Sequence, residues 1–151
     1  MANPVCEVLL SKSPLVAPKQ SNSSETGAVV DFWGIVRLTE EGAELTGIEY
    51  EAHSLMAEHQ LQSVADEATT RFDVLRISIR HRTGLVAVGD PSLLVRVGSR
   101  HRADAFRAGD WIVSELKKRV PIWKHPQFKS ESDQGVRLVK ATAAFPHELG
   151  K

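Results

Sequence analysis

The hydrophobic period of this chain switches at Ser54 and switches back at Leu75, and that alternation excludes most architectures. From Ser54 onward Leu61, Val64, Ala65, Ala68 and Phe72 recur at helical spacing. The segment to about Arg71 is therefore expected to be an amphipathic helix with Ser54 as its N-cap. Beyond it Leu75, Ile77 and Ile79 alternate with Arg76, Ser78 and Arg80, the pattern of a strand with one wet face. A second helical period starts near Ala103 and puts Phe106, Gly109, Ile112, Val113 and Leu116 on its buried side. Two amphipathic helices set among strands require a mixed fold.

The remaining segments supply more strands. Residues 5–10 read as a short strand, and the Ser-, Pro- and Asn-bearing stretch to about Thr26 as a loop with room for a helical turn. Residues 27–36 are apolar and β-branched and end at Arg37; residues 45–52 form the next strand. The polar turn between them, with Gly42, predicts that these two strands pair as a hairpin. Gly84 and Gly89-Asp90-Pro91 separate strands at 85–88 and 92–98, and a late strand is expected at 136–140. Hairpin-length connections favour an α+β domain with a mostly antiparallel sheet and its helices on one side. At 151 residues the chain is expected to be one domain with a real core.

Composition excludes several roles. Nineteen basic and nineteen acidic side chains cancel, so a nucleic-acid coat protein is not expected and any basic patch must be local. No apolar run reaches the roughly 20 residues of a membrane span, and residues near Cys6 lack the pattern of a signal peptide; a cytoplasmic protein without membrane contact is expected. Cys6 is the sole cysteine, which rules out an intrachain disulfide and a cysteine-based zinc site.

Candidate chemistry concentrates at element ends. In 116–124, Lys117 and Lys124 flank a bend enforced by Pro121 and carrying Trp123. Proline removes a donor and disfavours helix at Val120, so the chain should leave its helix there and run extended. Two amines could then face one anion, although cations in a last helical turn also suit the macrodipole with no ligand at all. Arg100-His101-Arg102 precedes the second helix, where cations oppose the dipole; either an external anion or acids elsewhere in the chain would relieve them. Arg37 ends a strand. His53 and His59 do not share a helix face, no zinc-protease spacing or glycine-rich phosphate loop occurs, and no metal is expected. His81-Arg82 is read as part of a turn before Gly84.

Taken together, 27–32 with Gly34, Val36 and Arg37, then Glu49-Tyr50-Glu51-Ala52, His81-Arg82 with Gly84, Ser99 with His101-Arg102, Ala105-Phe106, Ala108-Gly109, and Leu116-Lys117 with Pro121, Trp123 and Lys124 resemble the catalytic large subunit of molybdopterin synthase. The resemblance covers about residues 27–125, with 1–26 a variable N-terminal strand and loop and 126–151 a divergent C-terminal segment. It implies an α/β-hammerhead fold and a homodimer within a heterotetramer, each end holding a small ubiquitin-like sulfur carrier that ends in Gly-Gly. It implies sulfur transfer from that partner's thiocarboxylate to cyclic pyranopterin monophosphate, with no cofactor, metal or nucleotide. Lys117 and Lys124 would be the catalytic pair. Arg37, His101 and Arg102 would bind substrate with the two lysines and His125, with His101 and Arg102 reaching across the dimer.

The chain departs from that pattern just after Lys124, where His125-Pro126 stands in place of a basic residue followed by glutamate, and 130–136 contains no tryptophan. Two other readings stay open: a binding module whose basic turn and Trp123 engage RNA or an acidic protein tail, and a family member that keeps its partners without turnover.

Overall fold

Runs of β-branched and aromatic residues become strands, and helical periods become helices, in the computed structural model, which describes residues 3–130, 136–138 and 142–143. In chain order these are β1 (Val5–Ser11), β2 (Ala28–Ile35), β3 (Thr39–Glu40), β4 (Ala43–Ala52), α1 (Ser54–Arg71), β5 (Val74–Arg82), β6 (Gly84–Ala87), β7 (Pro91–Ser99), α2 (Arg102–Arg119), β8 (Ile122–Lys129), β9 (Val136–Leu138) and β10 (Thr142–Ala143). The α+β class holds. The expected single sheet is instead two: one ordered β1-β5-β7-β2, the other β10-β8-β4-β3 with β6 on β4 and β9 on β8. All pairings are antiparallel except β1 with β5.

Both helices pack on the first sheet and on each other. The core joins Ile77, Ile79, Val95 and Val97 of that sheet to Leu61, Val64 and Ala68 of α1 and Ala105, Ala108, Ile112 and Leu116 of α2. Every residue of β7 after Pro91 is buried, as a central strand covered on both faces requires. Part of the second cover is the N-terminal segment: Arg80 donates to the Val16 carbonyl (3.0 Å) and Arg96 to that of Pro18 (2.5 Å). Arg96 is itself gripped by both oxygens of Asp31 (2.6 and 2.8 Å).

The predicted pairing of 27–36 with 45–52 does not occur. β2 lies along β7, from Ala28 opposite Ser99 to Ile35 opposite Pro91. The hairpin closes locally instead, because Glu41 (φ 54°) and Gly42 (φ 80°) form a two-residue turn of left-handed residues between β3 and β4. The Leu45 N–H donates to the Leu38 carbonyl, and β4 passes into the second sheet between β8 and β6.

Helix termini show two further corrections. Ser54 is the first helical residue of α1, and His53 is the N-cap, its Nδ1 accepting from the Met56 N–H at 3.4 Å. Phe106 is 60% exposed, because the inward stripe of α2 is taken by Ala105, Ala108, Ile112 and Leu116. The end of α2 follows the sequence: Val120 is an extended C-cap, its N–H still bonded to the Leu116 carbonyl (3.1 Å), and the strand begins one residue after Pro121. β8 then runs on to Lys129, beyond where hydrophobic alternation is readable. The late strand spans Val136–Leu138 as β9, and positions 139 and 140 lie outside the described residues.

Candidate active site

The helix stop at Val120-Pro121 delivers Lys117 and Lys124 to one cleft. Its volume is about 160 Å³, and it lies where the C-terminal end of α2 meets both sheets. β2 and β7 supply Phe32, Gly34 and Leu93 as an apolar floor, and Tyr50, His81 and Ser92 add polar atoms. Strand parity explains the selection from β8. Lys124 stands opposite Tyr50 of β4 and shares its face, whereas Trp123 and His125 stand opposite Glu51 and Glu49 on the other face. His125 is turned away from the cleft accordingly, with its Nε2 2.8 Å from Glu51 Oε1.

Lys124 is ion-paired at 3.7 Å to Glu40, whose side chain is 22% exposed. Among the described residues, Lys117 has no such carboxylate partner. Burial pushes the Tyr50 phenol above its ordinary value; a Ser92 hydrogen bond opposes the shift, and the nearby Glu40 charge adds to it. His81 lies in β5, not in a turn, and its ring is fully buried, edge-on to Tyr50 at 5.2 Å. Its Nδ1 is 2.8 Å from the Arg82 carbonyl, which can only accept, so Nδ1 carries the proton. Burial lowers its pKa to about 4, against the pull of that hydrogen bond, and the ring is neutral near pH 7.

The other predicted residues do not line this cleft within one chain. Arg37 is exposed just past β2. His101 caps α2 without a side-chain bond, and Arg102 opens the helix. The 15 positions from Arg102 to Lys117 span roughly 22 Å of helix axis. Arg100 is occupied: it reaches Glu25 and, at 2.8 Å, Asp73, which relieves the electrostatic conflict at the helix start from inside the chain. A larger cavity of about 500 Å³ lies on the far face of the first sheet, beneath residues 18–26. Its arginines are already engaged, Arg76 by Glu7, Arg80 by the Val16 carbonyl and Arg96 by Asp31, so the smaller cleft is the better anion site. Ser92 and Glu40 had no local signal in the sequence, because each reaches the cleft only through cross-strand register; Tyr50 was legible only as part of the Glu49-Tyr50-Glu51-Ala52 motif.

Known proteins resemble this chain in sequence and fold. The family described as MoaE protein matches residues 10–119. The molybdopterin synthase catalytic subunit of Pyrococcus abyssi is 43% identical over 125 residues, covering 83% of this chain and 82% of the relative. That of Thermoplasma volcanium is 38% identical over 112 residues, or 74% and 82% of the two chains. Among solved structures, molybdopterin synthase from Staphylococcus aureus superposes with a TM-score of 0.74 at 31% identity, covering 87% of this chain and 95% of that one. A complex of subunits 1 and 2 of molybdopterin-converting factor from Helicobacter pylori shares the fold at a TM-score of 0.58 and 24% identity, covering 68% and 66% of the two chains. With its two lysines in one cleft and a match over most of its length, the chain belongs to the MoaE family.

Proposed function

We propose that this chain is the catalytic subunit of a molybdopterin synthase, transferring sulfur from the C-terminal thiocarboxylate of a small ubiquitin-like partner to cyclic pyranopterin monophosphate to form the dithiolene. The observation that carries the reading is the delivery of two amines, Lys117 and Lys124, from opposite arms of one helix stop into a single cleft. Both reactants are anions, a phosphate and a thiocarboxylate, and must approach each other. Paired ammonium groups, with Lys124 half-buried and Lys117 exposed at the cleft edge, screen that repulsion, and an amine held there can also move a proton. A partner tail ending in Gly-Gly suits a cleft of only about 160 Å³, since a chain without side chains can enter where larger residues collide.

The full site is built by two copies of the chain. His101 and Arg102 lie too far along α2 to serve the cleft of their own chain, while β2 is the outer strand of its sheet and exposes Phe32 and Ile35. A twofold axis beside that strand sets the start of one α2 near the end of the other, adding the partner copy's cations to Lys117 and Lys124. Arg37 contributes from the rim. His125, paired with Glu51 on the reverse of β8, is left out of the proposed substrate set. The small subunit completes a heterotetramer, in keeping with the two-subunit complex of the Helicobacter pylori relative.

The test mixes the purified chain with a thiocarboxylated small subunit and pyranopterin substrate and assays dithiolene. Wild type should form product. Lys117→Ala should lose at least about a hundredfold in kcat while its unfolding transition stays put. Near-normal turnover in that variant would sink the assignment.

A further inference from the structure

Among the described residues after Lys124 none carries a carboxylate: Pro126 is followed by Gln127, and His125 points away from the cleft. A carboxylate nonetheless stands at the cleft, brought from a distant part of the chain. Glu40 ends the two-residue strand β3, and the left-handed turn at Glu41 and Gly42 folds it back against β4. There its Oε1 lies 3.7 Å from Lys124 Nζ, with both side chains about three-quarters shielded from solvent. It also lies near enough to Tyr50 for its charge to act on the phenol.

We infer that Glu40 is a positioning residue for sulfur transfer, holding the Lys124 ammonium in place across the mouth of the cleft opposite Lys117. The inference rests on the synthase reading above and deepens it. A lysine side chain has four rotatable bonds and a point-like charge, so its amine has no fixed location without a partner. Lys124 has one and Lys117, among the described residues, has none. The pair is therefore asymmetric: Lys124 is tethered at the rim, while Lys117 is at liberty to follow the reacting atoms. Glu40 needs no contact with substrate, and its own charge weakly opposes an anionic ligand.

Those two effects of Glu40 have opposite signs in different kinetic constants. Glu40→Gln should lower the single-turnover rate roughly tenfold by releasing the Lys124 amine. It should leave the substrate KM unchanged or reduced, because a negative charge has left an anion site. In a Lys124→Ala background the same substitution should cost nothing further, since there is no amine left to hold. A wild-type rate in Glu40→Gln, an increased KM with an unchanged rate, or an equal loss with and without Lys124 would each overturn the inference, the last by showing a merely structural role for the hairpin. Failure of the wild type itself to form dithiolene would instead remove the synthase reading, and the role of Glu40 with it. An active wild type with an indifferent Glu40 removes the inference alone.

Discussion

His81 shows how burial alone can fix the chemistry of a side chain. Its pKa falls from 6.5 to about 4 on folding, so the unfolded chain binds a proton that the folded chain refuses. The stability this residue contributes is complete above pH 6.5 and is lost as the pH falls toward 4. Urea unfolding at about pH 7.5 and about pH 5 should show wild type losing roughly 2 kcal/mol more than His81→Gln between the two. An equal loss in both proteins would mean that the ring is not neutral in the fold. Cys6 follows the same logic with no functional consequence: burial, together with Asp66, pushes its thiol up to about 11, so the thiol is inert. At this scale the sequence is legible for groups whose chemistry is local. Lys117 and Lys124 are readable because a proline between them dictates a bend, whereas the burial of His81 depends on residues from other elements.

Among the elements, both helices and most strands are readable because period and turn residues are short-range signals. The partners of the strands are not. Residues 27–36 and 45–52 have the composition of a hairpin, yet the left-handed turn at Glu41 and Gly42 returns the chain early and gives β2 to β7. Gly47 marks the cost of the observed pairing. A Cβ there would meet the Val86 carbonyl at 2.6 Å, backbone that cannot swing aside, so Gly47→Ala should destabilise the fold by about 1–3 kcal/mol in chemical denaturation. Gly109 gives the opposite expectation. In the interior of α2 its added Cβ meets nothing within 4 Å, and Gly109→Ala should stabilise by about 0.5–1 kcal/mol through helix propensity. Finding the same sign at both positions would contradict the β4–β6 approach or the open space on α2.

For the whole molecule, two copies sharing a site make a prediction that one chain cannot imitate. Lys117→Ala and Arg102→Ala proteins should each be nearly inactive alone. Refolded together at equal amounts, half of the dimers are mixed and each mixed dimer has one intact site of two, so about a quarter of wild-type turnover should return. No recovery would place Arg102 outside the site, or both residues within one chain. The resemblance of 27–125 to its family implies this assembly, and the roughly 22 Å of helix between Arg102 and Lys117 is why the proposed site draws on a second copy. Strand β8 has a consequence for descent as well. Because successive side chains alternate faces, gaining or losing one residue between Pro121 and Lys124 would exchange the lysine for a neighbour that faces outward. Lineages of this protein should therefore vary in length along 19–24, between the Pro18 and Glu25 contacts, while the interval from Lys117 to Lys124 stays fixed, its spacing inherited as strictly as the two lysines themselves.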